Sequence, residues 1–96
     1  MQLARVAGTV VSSHKSETLE GIRFLVVEKL NAATMEGSGS FVVAMDGIGA
    51  NVGEVVFFVT GSSARMTKTT DKKPADATIV AIVDTVEIGG EEVYRK

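Results

Sequence analysis

Ninety-six residues make one domain, 1–96, and a domain of this size buries only about 60–70% of its unfolded surface, so its own core is marginal. Cysteine is absent, which excludes disulfides and thiolate metal sites and fits an intracellular setting. Ten Lys and Arg against twelve Asp and Glu give a formal net charge of −2, which excludes broad electrostatic binding to nucleic acid or an anionic membrane.

The opening residues, Met1-Gln2-Leu3-Ala4-Arg5, lack the long apolar run of a signal peptide. No later stretch approaches the roughly 20 apolar residues of a membrane span, so a soluble cytoplasmic protein is expected. Fifteen valines and scant helical periodicity make the chain read as nearly all strand. Strands are predicted over residues 3–13, 22–30, 40–45, 54–60 and 78–87, with a short run at 92–95 as an optional sixth. Gly21, the 36–40 cluster, the 47–53 segment and Gly89-Gly90 mark turns between them. After Gly61, Ser62 or Ser63 is placed to cap one helical turn through Ala64, Arg65 and Met66. The polar 67–76 run holds the only proline and reads as a mobile surface loop.

Five strands and one short helical turn before the last of them predict an all-β fold, a small five-stranded OB-like barrel, with an open sandwich as the alternative. Residues 55–59 and 79–83 are apolar at successive positions, whereas a barrel strand with one wet face should alternate. Val55, Phe57, Val59, Ile79 and Ile82 are therefore expected to be covered by another subunit, the plainer alternative being loops of the same chain.

Chemistry is hard to find. The spacing Gly47-x-Gly49-x-x-x-Gly53 is one residue longer than the dinucleotide fingerprint and opens a strand instead of a helix, and no Gly-Lys-Ser/Thr ending marks a P-loop. Gly61-Ser62-Ser63 beside Arg65 reads as a plain cap in preference to an anion nest. His14, the only histidine, sits with Lys15 and Glu17 in a solvated turn. Asp46 and Asp84 each end an apolar run and are the best inward carboxylates, yet an aspartate there ordinarily accepts backbone N–H bonds in a turn. No catalytic group, cofactor or metal is expected. Phe24, Phe41, Phe57 and Phe58 lack interleaved Arg or Lys, so they read as core or interface and not as a base-stacking platform. Lys68, Lys72 and Lys73 read as a solvated loop tip.

Four segments in order carry a resemblance that composition cannot supply. They are Val6-Ala7-Gly8-Thr9-Val10-Val11-Ser12-Ser13-His14-Lys15 with Leu19-x-Gly21-x-Arg23, then Ala44-x-Asp46-x-Ile48-Gly49-Ala50-x-x-Gly53-Glu54. Gly61-Ser62-Ser63-Ala64-Arg65 and Asp76-Ala77-x-Ile79-Val80-Ala81-Ile82-Val83-Asp84 follow. Over essentially its whole length the chain resembles the pentameric vertex proteins of bacterial microcompartment shells, the family that includes carboxysome vertex proteins and their counterparts in ethanolamine, propanediol and glycyl-radical compartments. The family's signature usually reads Gly-Ala-Gly where this chain has Gly49-Ala50-Asn51, and asparagine tolerates the left-handed conformation better than most residues, so the turn is expected to survive.

The resemblance implies a closed ring of five OB-like barrels that fills each five-fold vertex of a shell otherwise tiled by hexameric and trimeric proteins. Such a ring needs a head-to-tail interface that closes by rotation. It also implies a hexamer-facing rim built from Gly49, Ala50, Asn51, Val52, Gly53 and Glu54 together with Ser63, Ala64 and Arg65. Small residues there permit close approach, and Glu54 and Arg65 supply directional contacts. A homopentamer meeting hexameric and trimeric shell proteins, with no nucleic acid and no membrane as partner, is the expectation that follows.

Overall fold

The computed structural model describes residues 1–11, 23–61 and 77–96. Alternation of inward and outward side chains in the valine-rich runs builds β1 (Gln2–Val10), β2 (Arg23–Leu30), β3 (Gly37–Asp46), β4 (Val55–Thr60) and β5 (Ala77–Ile82). These close into a five-stranded barrel in the order β1-β2-β3-β5-β4, the fold class expected from the sequence. Neighbours pair antiparallel except β3 with β5, where Met45 faces Thr78 and Asp46 faces Ile79 in a parallel pair. A parallel pair needs a long crossover, and here it contains β4, which fills the gap between β5 and β1.

The core is the barrel interior: Ala4 and Val6, Leu25 and Val27, Ala44, Val56 and Phe58, Ala77 and Ile79. Small side chains stand among large ones, which suits the taper of a narrow barrel. A bulge between Val6 and Gly8 bends β1 around the closure.

Three boundaries differ from those predicted. The Ser/Gly-rich start of β3, expected as turn, is strand: Leu30 pairs with Gly37 beyond an irregularity, and side chains hold the residues between that pair and Phe41, Gly39 N–H donating to Glu28 Oε2 at 3.0 Å and Ser40 N–H to Ser38 Oγ at 3.2 Å. The turn lies instead at residues 31–36. There the Asn31 side chain accepts from the N–H groups of Ala33 at 2.9 Å and Thr34 at 3.2 Å, and Met35 takes φ 61. The run predicted over 78–87 breaks at Val83-Asp84, where the chain leaves the barrel. It continues as β6 (Thr85–Ile88) and β7 (Glu91–Arg95), a separate two-stranded sheet turning at Gly89-Gly90. The optional sixth run is thus the second strand of a hairpin. The expected helical turn at 62–66, the 67–76 loop with its lysines, and His14 fall outside the described residues.

Candidate functional site

β3 ends at Asp46, and the eight residues from Gly47 to Glu54 carry the chain across the mouth of the barrel to β4. Asp46 holds the first half of this loop. Its Oδ1 accepts the N–H groups of Ile48 at 3.0 Å and Gly49 at 3.2 Å, and its Oδ2 accepts that of Ala50 at 3.0 Å. The Arg23 guanidinium, at the start of β2, stands 3.4 Å from the same Oδ2 and donates to the Ala50 carbonyl at 3.2 Å. A buried aspartate is tolerated because both of its oxygens are satisfied and its charge is countered.

The second half is sewn to β1. Gly53 N–H donates to the Val6 carbonyl at 2.8 Å, and Val6 N–H donates to the Glu54 carbonyl at 2.9 Å. Within the turn, Glu54 N–H donates to the Asn51 carbonyl at 3.1 Å, while Asn51 N–H donates to Glu54 Oε1 at 2.6 Å. Glu54 Oε2 receives the Lys96 ammonium at 2.7 Å. That hydrogen bond from Lys96, then the one from Asn51, hold the Glu54 carboxyl below the usual glutamate range; the same partner raises the Lys96 ammonium.

Positive φ falls at Gly49 (85) and Gly53 (93), the two positions where glycine is required. Asn51 does not take it, so the substitution at that point of the signature asks for no left-handed residue; the accommodation expected for asparagine is unnecessary.

The expected rim residues therefore divide. Gly49, Asn51, Val52 and Gly53 are exposed on the loop's outer side. Ala50 is fully buried and belongs to the core, where it plugs the barrel mouth, so it offers no surface to a neighbour. Glu54 is half-buried with its carboxylate turned to its own chain. Ser63, Ala64 and Arg65 lie outside the described residues. Two features escaped the sequence reading. Ile48, 45% exposed beside Val52 at 61%, gives the loop an apolar outer side, and its only sequence signal is an isoleucine in a turn otherwise built of small residues. Arg23 acts on Ala50 from 27 positions away, for which no local pattern exists.

The subunit-interface candidates divide as well. Ile79 pairs with Phe58 inside the barrel and is 2% exposed. Val55 has no exposed surface, because the chain crosses it at Val83, whose N–H donates to the Val55 carbonyl at 2.8 Å. Both are withdrawn as surface residues; the apolar runs are explained there by cover from the same chain. Ile82 is half-buried and packs against the core. Phe57 and Val59, on the outer side of β4, keep partly open flanks.

This geometry suits a docking surface more than chemistry. Asp46 has no oxygen left for a substrate, Asp84 is exposed at the point where the hairpin leaves the barrel, and no group of three His, Asp or Glu gathers among the described residues. Phe41, the most exposed of the phenylalanines described, faces Glu28 across the ladder, an arrangement that repels a phosphate chain.

Comparison with known proteins agrees. The family model described as ethanolamine utilisation protein EutN/carboxysome matches residues 1–84. The chain is 40% identical over 96 residues to the carboxysome shell vertex protein CcmL of Gloeobacter violaceus, covering all of this chain and 95% of that protein. It superposes on the solved CcmL of that organism with a TM-score of 0.94 at 38% identity, covering all of this chain and 98% of that one. It is 46% identical over 87 residues to the bacterial microcompartment shell vertex protein GrpN of Rhodospirillum rubrum, spanning 91% of this chain and 97% of that protein. The solved GrpN pentameric microcompartment shell protein gives a TM-score of 0.78 at 44% identity, spanning 92% of this chain and 98% of that one.

Proposed function

The chain belongs to the EutN/carboxysome family of shell proteins, and from that premise we propose that it is a structural protein whose homopentamer caps the five-fold vertices of a bacterial microcompartment and closes the polyhedral shell in the cytoplasm. It is not an enzyme. The observation that carries this reading is the full-length likeness to proteins named shell vertex proteins, one of them solved as a pentamer. The rim loop supports it physically: a surface that must meet a flat neighbour closely gains from a short, glycine-containing turn held rigid before contact, because less ordering remains to be done on binding.

In this reading hexameric and trimeric shell proteins are the neighbours. Gly49, Asn51, Val52 and Gly53 make the contact, with Ile48 added; Ala50 and Glu54 support it from behind, and Ser63, Ala64 and Arg65, outside the described residues, stay assigned to it by the family resemblance alone. Phe57 and Val59 belong to the ring interface. Gly53→Trp tests the loop. A Cβ at Gly53 meets no atom of its own chain within 4 Å, so the bulk can point outward at the cost of backbone strain at φ 93, and with the loop at the outer rim the ring mass should be unchanged. Co-expression with a hexameric shell protein should then yield open, uncapped shells. Closed shells containing Gly53→Trp at normal stoichiometry would remove this loop from the vertex contact, and loss of the ring would move it to the subunit interface.

A further inference from the structure

Asp46-Gly47 is the only place in the chain where an aspartate or asparagine precedes glycine. The pair carries a chemistry of its own, because glycine has no side chain to shield its backbone nitrogen from the preceding carboxyl. That nitrogen, giving up its proton, can attack Asp46 Cγ: the N–Cγ bond forms, and the carboxyl hydroxyl leaves with the proton as water, closing a five-membered succinimide. Water then reopens the ring. Cleavage of the new N–Cγ bond restores aspartate, whereas cleavage at the α-carbonyl leaves the main chain running through Cγ, an isoaspartate with one extra methylene in the backbone. Val52 after Asn51 and Thr85 after Asp84 are β-branched and crowd the same approach.

The fold opposes this reaction in two ways. Ring closure needs Cβ and the Gly47 nitrogen nearly eclipsed about the Cα–C bond of Asp46. Asp46, however, is the last residue of β3, registered with Arg23 on one side and Ile79 on the other. The ψ of a strand residue holds those two atoms roughly 100° apart. The carboxyl is also committed elsewhere. Its oxygens accept from the N–H groups of Ile48, Gly49 and Ala50 and face Arg23, and the side chain has no exposed surface, although Gly47 itself is exposed.

We propose that Asp46-Gly47 is a latent isomerisation site: the barrel mouth keeps it unreactive, and succinimide forms only in the fraction of chains in which the clamp around Asp46 has opened. Arg23, contributed from the start of β2, is a positioning residue that holds the clamp shut. Isomerisation is then irreversible in structural terms, because the extra methylene moves the carboxylate off the three N–H groups and the loop from Gly47 to Glu54 cannot return to its place. This holds whether or not the chain caps a vertex.

The full chain is incubated at neutral pH, native and in guanidinium chloride, and isoaspartate at position 46 is quantified by electron-transfer fragmentation of the peptide that contains it. In guanidinium the site should isomerise as fast as in a free peptide of residues 42–52, and in the native protein at least about tenfold slower. Equal native and denatured rates overturn the proposal. Exchange of the Ala50 amide in the native protein needs no variant, since that N–H donates to Asp46 Oδ2 and is released by the same opening. The slowing of isomerisation should be no smaller than the protection of this amide; a reaction faster than that opening allows would occur in the closed clamp and overturn the gating. Denatured Gly47→Ala should lose most of the isoaspartate, and a signal that persists there overturns the assignment to this pair. Native Arg23→Gln should isomerise severalfold faster than the native parent, with the rate in guanidinium unchanged. An unchanged native rate overturns the role given to Arg23.

Discussion

Replacing Asp46 with alanine removes the acceptor for three backbone N–H groups at once and leaves Arg23 without its carboxylate. Stranding one buried and two part-buried donors in this way should cost about 2–3 kcal/mol, read as a lower urea midpoint. Asp46→Asn keeps one acceptor oxygen and should lose about half as much. Gly53→Ala makes a contrasting case: a Cβ there touches nothing, so only the φ of 93 is penalised, by about 1 kcal/mol, and the Gly53 N–H bond to Val6 survives. A loss much above that in the same titration would mean that the added methyl is felt by another protomer. Exposed Ile48 and Val52 tell a different story again. Converting both to Ser should leave stability within about 0.5 kcal/mol while weakening shell capping, measured as the fraction of closed particles by electron microscopy.

At the scale of elements, the Glu54–Lys96 pair ties the C-terminal hairpin to the barrel mouth, and that tie has a pH window. Glu54 titrates lower in the folded chain than when unfolded, so its contribution is present above about pH 4.3 and is lost as pH falls through its depressed folded value. Lys96 titrates higher when folded, so its share is present below about pH 10.4 and is lost as pH rises through its elevated folded value. Between those limits the mooring holds. Amide exchange at Lys96, corrected for intrinsic rates, should therefore be slow at pH 6 and faster at pH 3, while amides of the β1–β2 ladder stay protected at both. Glu54→Gln should remove most of the difference between the two pH values; an unchanged pH response in that variant would assign the effect to another carboxylate.

Across the whole molecule, a barrel of this size stabilises itself only modestly, and ring formation adds stability by mass action. Thermal denaturation should accordingly shift upward with protein concentration, and native mass spectrometry at micromolar concentration should report five copies. A midpoint independent of concentration, together with a monomer mass, would remove the ring. A six-copy mass would keep a ring and remove the vertex role.

What the sequence by itself determined is local or cumulative. Alternating valines write the strands, since a strand's two faces are set by adjacent residues, and glycines at 49 and 53 mark positive φ because few other residues adopt it. The ordered signatures carried the family. Tertiary structure alone decided which apolar positions face inward. Val55 and Phe57 look alike in the chain, yet a crossing at Val83 buries the first and leaves the second partly open. It also decided that 78–87 is two elements: the β4–β5 ladder ends at Ile82, Val83 N–H turns to the Val55 carbonyl, and the chain resumes as β6 at Thr85. The rim loop shows the same division. Asp46 was legible as a turn acceptor, but Arg23 reaching the Ala50 carbonyl and Val6 bonding Gly53 and Glu54 exist only because barrel closure brings distant segments to one mouth.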